Sequence, residues 1–246
     1  MHWNTQLYDQ KHNFVAKYGE NLLHFLPQAP QQTILDLGCG TGTLTAELQD
    51  YGQVTGMDAS IDMIAKARQH YPQLKFQVGN GLTLAPTPQY DLIFSNAVFH
   101  WIPDHPTLLA HIFQALKPGG QLICEFGGAG NIQTIETGFA QALAQVGGTH
   151  QQRFNFPTTD TFGQALTQAG FHVKHLVTFK RPTPLAAGEA GLANWARQFF
   201  APDLAHLTAA QQTAVLAQLA TNVSELWQNG TWIADYQRLQ AVASKP

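Results

Sequence analysis

Two aspartates and a run of alternating glycines carry the first chemical signal in the chain. Asp36 sits in an apolar stretch, Ile34-Leu35-Asp36-Leu37, and Gly38, Gly40 and Gly42 follow at every second position. A glycine turn from a buried strand into a helix lets a ligand press against bare backbone. The spacing restricts the ligand. A dinucleotide fingerprint needs Gly-x-Gly-x-x-Gly or Ala; counted from Gly38 the third place falls on Thr43, and from Gly40 on Thr45. The phosphate-loop pattern is absent too. Asp58 follows about 20 residues after the turn's acid, where a carboxylate can accept from both hydroxyls of a ribose. Its competing use is as a helix cap beside Ser60. Cys39 lies inside the glycine turn, where its backbone matters more than its thiol. No zinc-ligand spacing is present.

These residues need elements to hold them. Thr33 to Leu37 reads as a short buried strand, and the glycine turn leads into a helix over Thr43 to Asp50. Gln53 to Met57 is a second strand, and Ser60 caps a helix to His70 with Asp62 early and Lys66 and Arg68 late, matching the helix dipole. Leu74 to Val78 and Tyr90 to Ser95 are further strands, then a helix from His105 to Leu116. Pro118-Gly119-Gly120 reads as a turn into a strand over Gln121 to Phe126. The expected fold is α/β: a doubly wound, seven-stranded, mostly parallel Rossmann-like sheet with helices on both faces. Helices are expected from Asn131 to Val146 and from Thr159-Asp160 to Ala169, and a strand from Phe171 to Phe179. Pro182 and Pro184 then interrupt the chain, Gly188 to Asn229 holds two or three helices, and Thr231 to Val242 is the last strand. This divides the chain into an N-terminal helical lid (1–30), a core (31–184 and 230–246) and a helical cap (185–229). The cap is expected over the carboxyl ends of the strands, where ligands of parallel sheets bind.

Composition narrows the partners. Apolar residues make up 44% and charged residues 12%, about half the usual ~25% charged. The formal charge is -3, and 13 Lys and Arg are spread thinly, so no nucleic-acid footprint is expected. The start of the chain has no apolar signal core, and no run reaches the ~18 apolar residues of a membrane span. With two cysteines, a cytoplasmic location is the expectation. Oligomeric state is not legible.

Asp36-Leu37-Gly38-Cys39-Gly40-Thr41-Gly42 resembles the first motif of class I S-adenosylmethionine-dependent methyltransferases. The resemblance extends through Asp58-Ala59-Ser60, Gly79-Asn80-Gly81, Tyr90 to Trp101 and Leu116 to Gly120. It implies S-adenosyl-L-methionine as cofactor and S-adenosyl-L-homocysteine as product. It places Asp36 near the methionine ammonium and Gly38, Cys39, Gly40 and Gly42 against the methionyl and ribose parts. Asp58 and Ala59 would meet the ribose, Met63 the adenine ring, and Asn80 and Gly81 the adenine edge. Asn80 stands where the family often has aspartate. Ser95, Asn96 and Ala97 would line the methionyl side. His12 and Tyr18, in a Tyr-Asp-x-x-His start similar to that of some relatives, would fold over the cofactor.

Methyl transfer is an in-line displacement at a sulfonium, so alignment and exclusion of water are the protein's main tasks. A base is needed only when the nucleophile carries a proton. His100 and Trp101 leave the fourth strand and are the candidate acceptor-side residues, joined by Glu125 at the end of the fifth. The chain as a whole is similar to the trans-aconitate and malonyl-carrier-protein methyltransferase group, which implies a small-molecule acceptor and an O-methyl ester of a carboxylate. Only Arg181 and Arg197 lie between residues 180 and 230, with Arg153 just before, which is few for a polyanionic acceptor. The alternatives are a non-catalytic cofactor-binding sensor or partner module and a cyclopropane-synthase-like lipid methyltransferase. The glycine spacing disfavours a nicotinamide oxidoreductase.

Overall fold

A computed structural model describes residues 22–27 and 31–246. Eight strands occur among them: β1 (Gln32–Leu37), β2 (Gly52–Asp58), β3 (Lys75–Val78), β4 (Tyr90–Asn96), β5 (Leu116–Gly127), β6 (His172–Pro184), β7 (Trp227–Gln228) and β8 (Thr231–Ser244). The helices are α1 (Thr43–Leu48), α2 (Ile61–His70), α3 (His105–Ala115), α4 (Gln133–Ala144), α5 (Thr159–Gln168), α6 (Gly191–Phe199), α7 (Ala201–Leu204) and α8 (Ala209–Asn222). The sheet runs β3-β2-β1-β4-β5-β8-β6, with the two-residue β7 paired to β8 off this path. The pairs from β3 through β5 are parallel, and β8 runs antiparallel to β5. Strand order therefore reverses between β1 and β4, which is where open α/β sheets bind ligands.

Alternation along the strands sorts the two faces of the sheet. Ile34, Val54, Leu92, Phe94, Ile123 and Val242 pack with Leu44 and Leu48 of α1 and with Leu22 and Leu26. Leu35, Leu37, Ile93, Leu122, Cys124 and Ala241 face the other way, against Leu108, Leu109 and Ile112 of α3 and Phe162 and Leu166 of α5. The expected cap at Ser60 holds, its Oγ accepting from Met63 N; Asp104 caps α3 by accepting from Thr107 N, and Thr158, one residue before the expected Thr159-Asp160, caps α5 by accepting from Thr161 N.

Three details differ from the sequence expectation. An eighth, two-residue strand joins the sheet. Lys117 to Gly120 lies inside β5, beside a register shift between Tyr90 and Leu92 that absorbs Gly119 at a φ of 78°. Pro182 and Pro184 do not stop β6, because β6 is the last strand in the order and an edge strand tolerates a residue without an N–H.

Contacts divide the chain into two compact units. The first holds the described residues up to Ala129 together with Phe154–Thr178 and Arg238–Pro246; the second holds Gly130–Arg153 and Phe179–Gln237. Within the second, α4 and α8 approach closely at Gly138, where a Cβ would stand 2.5 Å from Val223 Cγ1. Asn222 Nδ2 donates to the Gly138 carbonyl there at 2.8 Å. A buried ion cluster adds to this unit. His150 bridges Asp203 at 2.7 Å and Glu136 at 3.1 Å, and Arg153 meets Asp203 at 2.7 Å. The expected N-terminal lid, 1–30, lies outside the described residues except for 22–27. Among the described residues no helix is long and apolar enough to cross a membrane.

Candidate active site

The glycine turn spends its own amides on the protein. Gly38 N and Cys39 N both donate to the Met57 carbonyl, at 2.7 and 3.0 Å, and Gly42 N donates to the Cys39 carbonyl at 3.0 Å. Gly40 N donates to Asp58 Oδ2 at 3.0 Å. These four amides are thus committed, whereas a phosphate cradle needs amides aimed at the ligand. What the turn offers is bare surface. Gly40 has a φ of 55° and nothing within 4 Å of its missing Cβ. Gly38, at φ +80°, lies so close to Val98 that a Cβ would stand 2.1 Å from Cγ2.

Two carboxylates face this turn, one buried and one half-buried. Asp36 is 2% exposed, and Thr45 Oγ1 donates to its Oδ2 at 2.6 Å. Burial pushes its carboxyl up to about 7, against the Thr45 hydrogen bond, and the charge of Asp58 raises it further. Asp58 is also raised by burial, although amides of Ser60 and Gly40 stabilise its charge. Asp58 Oδ1 accepts from Ser60 N at 2.8 Å, while Ser60 itself caps α2. Asp58 therefore bridges the turn to the loop after β2 and is not the helix cap. Neither acid has a basic partner among the described residues, and buried charge without a partner is costly. The pocket suits a cationic ligand and repels a phosphate.

The remaining cofactor-side candidates gather at the same strand ends. Ser95 Oγ donates to the Leu37 carbonyl at 2.8 Å, tying β4 to β1 just before the glycine turn. Asn96 is buried, and Ala97 follows at a φ of 61°, its N–H donating to the Glu125 carbonyl at 2.7 Å. Asn80 Oδ1 accepts from Leu82 N at 3.0 Å and so caps the short turn Gly81–Thr83. This leaves its Nδ2 donors as the more available edge. Gly81 lies against Leu108 and Leu37, where a Cβ would be 2.6 Å from Leu108 Cδ1. Met63 is buried in the first turn of α2, and Ala59 follows Asp58 into that helix. Cys39 packs beside Phe76, Ile64 and Ala67, and burial pushes its thiol up, so it is no nucleophile at neutral pH. His12 and Tyr18 lie outside the described residues.

His100 and Trp101 form the short turn after β4. Gly127 N donates to His100 Nδ1 at 3.2 Å, and Asn155 N donates to the His100 carbonyl at 2.8 Å. The imidazole is packed among Trp101, Phe154 and Phe156 at ring distances of 5.5, 6.0 and 5.9 Å. Burial pushes its pKa well below 6.5, and the positive charges of Arg238 and His105 push the same way. Glu125 is fully buried. Its Oε1 accepts from Arg238 Nε at 3.3 Å and its Oε2 from Gln240 Nε2 at 3.2 Å. The sequence points Glu125 at the mouth of the pocket, but the ion pair ties it into the sheet.

Sequence reasoning missed Thr45, Val98, Phe154, Phe156 and Arg238. Arg238 left one signal: it is the only Lys or Arg within Thr231–Ser244. Phe154 and Phe156 left none, lying more than fifty residues from the turn they pack against. Among the described residues no His, Cys, Asp and Glu grouping suits a metal.

A family model described as "Methyltransferase domain" matches residues 9–176. A Schizosaccharomyces pombe protein described as "Uncharacterized methyltransferase C70.08c" is 30% identical over 99% of this chain and 98% of its own length. A trans-aconitate 2-methyltransferase of Deinococcus radiodurans is 41% identical, over 50% of this chain and 48% of its own. The Rhizobium meliloti protein of that name is 28% identical over 100% of this chain and 99% of its own. Among solved structures, YcgJ of Bacillus subtilis superposes with a TM-score of 0.68 at 15% identity, covering 94% of this chain and 98% of that one. A Haemonchus contortus phosphoethanolamine N-methyltransferase 2, with phosphomonomethylethanolamine and S-adenosylhomocysteine, gives 0.63 at 18% identity over 98% and 57%. At these identities the structures speak for the fold alone.

Proposed function

The chain belongs to the S-adenosylmethionine-dependent methyltransferases, and from that premise we propose that it methylates a carboxylate oxygen of a small organic acid. The cofactor supplies an activated methyl group on a sulfonium when bound. Asp36 takes the methionine ammonium, which supplies the positive charge that its burial lacks. Asp58 accepts from the ribose hydroxyls with the lone pairs left by Gly40 N and Ser60 N. Gly38, Cys39, Gly40 and Gly42 give the bare surface for the methionyl and ribose parts. Ser95, Asn96 and Ala97 line the methionyl side, and Ala59, Met63, Asn80 and Gly81 surround the adenine. The family resemblance assigns His12 and Tyr18, which lie outside the described residues, to the cofactor as well.

The acceptor reading rests on one observation. The acid nearest the end of β5, Glu125, is paired with the Arg238 guanidinium and takes a hydrogen bond from the Gln240 amide. It is not available as a base, so the acceptor should need none. A carboxylate, already ionised at neutral pH, meets that condition. With the cofactor bound, the carboxylate oxygen would take the methyl group, and the electron pair of the broken carbon–sulfur bond would leave a neutral thioether with no proton to remove. The end-to-end likeness to a trans-aconitate 2-methyltransferase supports the same class of acceptor. The test is transfer of a labelled methyl group to trans-aconitate, with phosphomonomethylethanolamine as the amine control. The expected product releases its label as methanol in mild alkali, as an ester does. Label that is stable to alkali, or that enters only the amine, would sink the proposal.

A further inference from the structure

We infer that His100 serves as a hydrogen-bond donor through Nε2, gripping an oxygen of the acceptor carboxylate and selecting anionic oxygen acceptors over ammonium ones. The inference deepens the carboxylate reading and rests on it. It starts from the ring's fixed tautomer. Gly127 N–H points at Nδ1, so Nδ1 must accept, and the single proton of a neutral imidazole must sit on Nε2. The opposite tautomer would set two N–H groups against each other in a buried place, leaving both donors unmet.

The ring cannot easily turn away from this arrangement. Trp101, Phe154 and Phe156 surround it, Trp101 and Phe154 meet edge to face at 4.7 Å, and Asn155 N holds the His100 backbone. Nδ1 is taken up by the carboxyl end of β5, while Nε2–H has no partner among the described residues. The neighbouring histidine shows the contrast. Both ring nitrogens of His105 are engaged, Nε2 with the Phe99 carbonyl at 2.9 Å and Nδ1 with Asn155 Nδ2 at 3.3 Å. His105 is therefore structural, whereas His100 keeps one directed donor at the end of β4.

The surrounding charge agrees. Arg238 and His105 both disfavour a second proton on His100. A neutral imidazole with its proton on Nε2 offers a donor to an oxyanion and no lone pair to an ammonium. A general base at His100 would need a lone pair facing the acceptor, but the imidazole's one lone pair faces Gly127.

Three measurements on the full chain test this. Histidine-15N spectra of the wild-type protein should show His100 protonated at Nε2 and bare at Nδ1 from pH 6 to 8, with the Nε2–H signal shifting on addition of trans-aconitate. His100→Gln, which keeps a donor but cannot act as a base, should retain kcat within about tenfold, because a lost general base costs roughly 10²–10⁴-fold. His100→Ala should raise the KM for trans-aconitate by about 10-fold or more, as expected for a lost bond to a charged group. Affinity for S-adenosylhomocysteine, measured calorimetrically, should be unchanged in both variants and reports that they are folded. A proton on Nδ1, a His100→Gln kcat lowered by about 10²-fold or more, or an unchanged KM in His100→Ala would each overturn the donor role while leaving carboxylate methylation standing. Failure of the wild-type protein to esterify trans-aconitate would instead remove the reading beneath it. Should a variant not fold, the wild-type spectra still decide the tautomer.

Discussion

Carboxylates withdrawn from water wholly or in part line the carboxyl ends of β1, β2 and β5, and they are treated in opposite ways. Asp36 and Asp58, at the carboxyl ends of β1 and β2, have no basic partner among the described residues, and burial raises both from the ordinary carboxylate value. Glu125, on β5, is at least as buried, yet Arg238 and Gln240 meet it from β8. Asp203 in the second unit resembles Glu125. Arg153 and His150 hold its carboxyl below the usual value against the cost of burial. A buried acid given its own cation is part of the framework. A buried acid left without one is a cost to the free protein that a cationic ligand can offset.

The largest effect should come from breaking the compensated pair. Arg238→Met leaves Glu125 buried without its cation, and removing one partner of such a pair costs about 3–5 kcal/mol. In a chain of this size each kcal/mol lowers Tm by roughly 2–4 °C. Adding Glu125→Gln should recover much of the loss. An unchanged Tm in the single variant would erase the distinction between the two treatments.

Asp36→Asn should do the reverse. Asparagine keeps an oxygen for the Thr45 hydroxyl but removes the uncompensated charge. The free protein should therefore melt higher than wild type above pH 7. Affinity for S-adenosylmethionine should fall by about 10- to 100-fold, the worth of a hydrogen bond to a charged group. Equal affinity would show that Asp36 does not meet the cofactor's charge.

The smallest effect sharpens the comparison through pH. Asp36 is raised when folded, so its contribution to stability is fully present below the unfolded carboxylate value and is lost as pH rises through about 7. Cofactor binding asks for the ionised form. Affinity should therefore fall as pH drops from 8 to 6, by at most about tenfold per unit, with one proton released on binding. Calorimetry in buffers of different ionisation enthalpy would count that proton, and Asp36→Asn should abolish it.

The half of the candidate site proposed for the cofactor could be read as one group because it is local. Asp36, the alternating glycines and Asp58 belong to one strand-turn-helix-strand segment, and apolar runs mark each strand. The acceptor half could not, because it is assembled across the sheet. Glu125 and Arg238 are 113 residues apart and meet only because β8 turns antiparallel beside β5. Alternation in Thr231 to Val242 shows a strand but not its neighbour. The same limit hid Phe154 and Phe156, which sit in irregular chain with no period to read. Prolines in β6 misled for a related reason: whether a strand tolerates them depends on its being at an edge, which only topology reveals.

The anchored amides of the glycine turn bear on redesign. Converting a cofactor pocket to accept a nucleotide is usually imagined as an exchange of side chains, with acids removed and basic residues added. Here that would not suffice. Gly38 and Cys39 donate to the Met57 carbonyl and Gly42 to its own turn, so deleting Asp58 would release the Gly40 amide alone. An incoming phosphate would find one free donor where it needs several. Rewriting the cofactor preference would require rerouting the main chain between β1 and α1, and so its register with β2. On the proposed placement of the cofactor, the preference for a methyl donor would be built into the backbone as well as into the two acids.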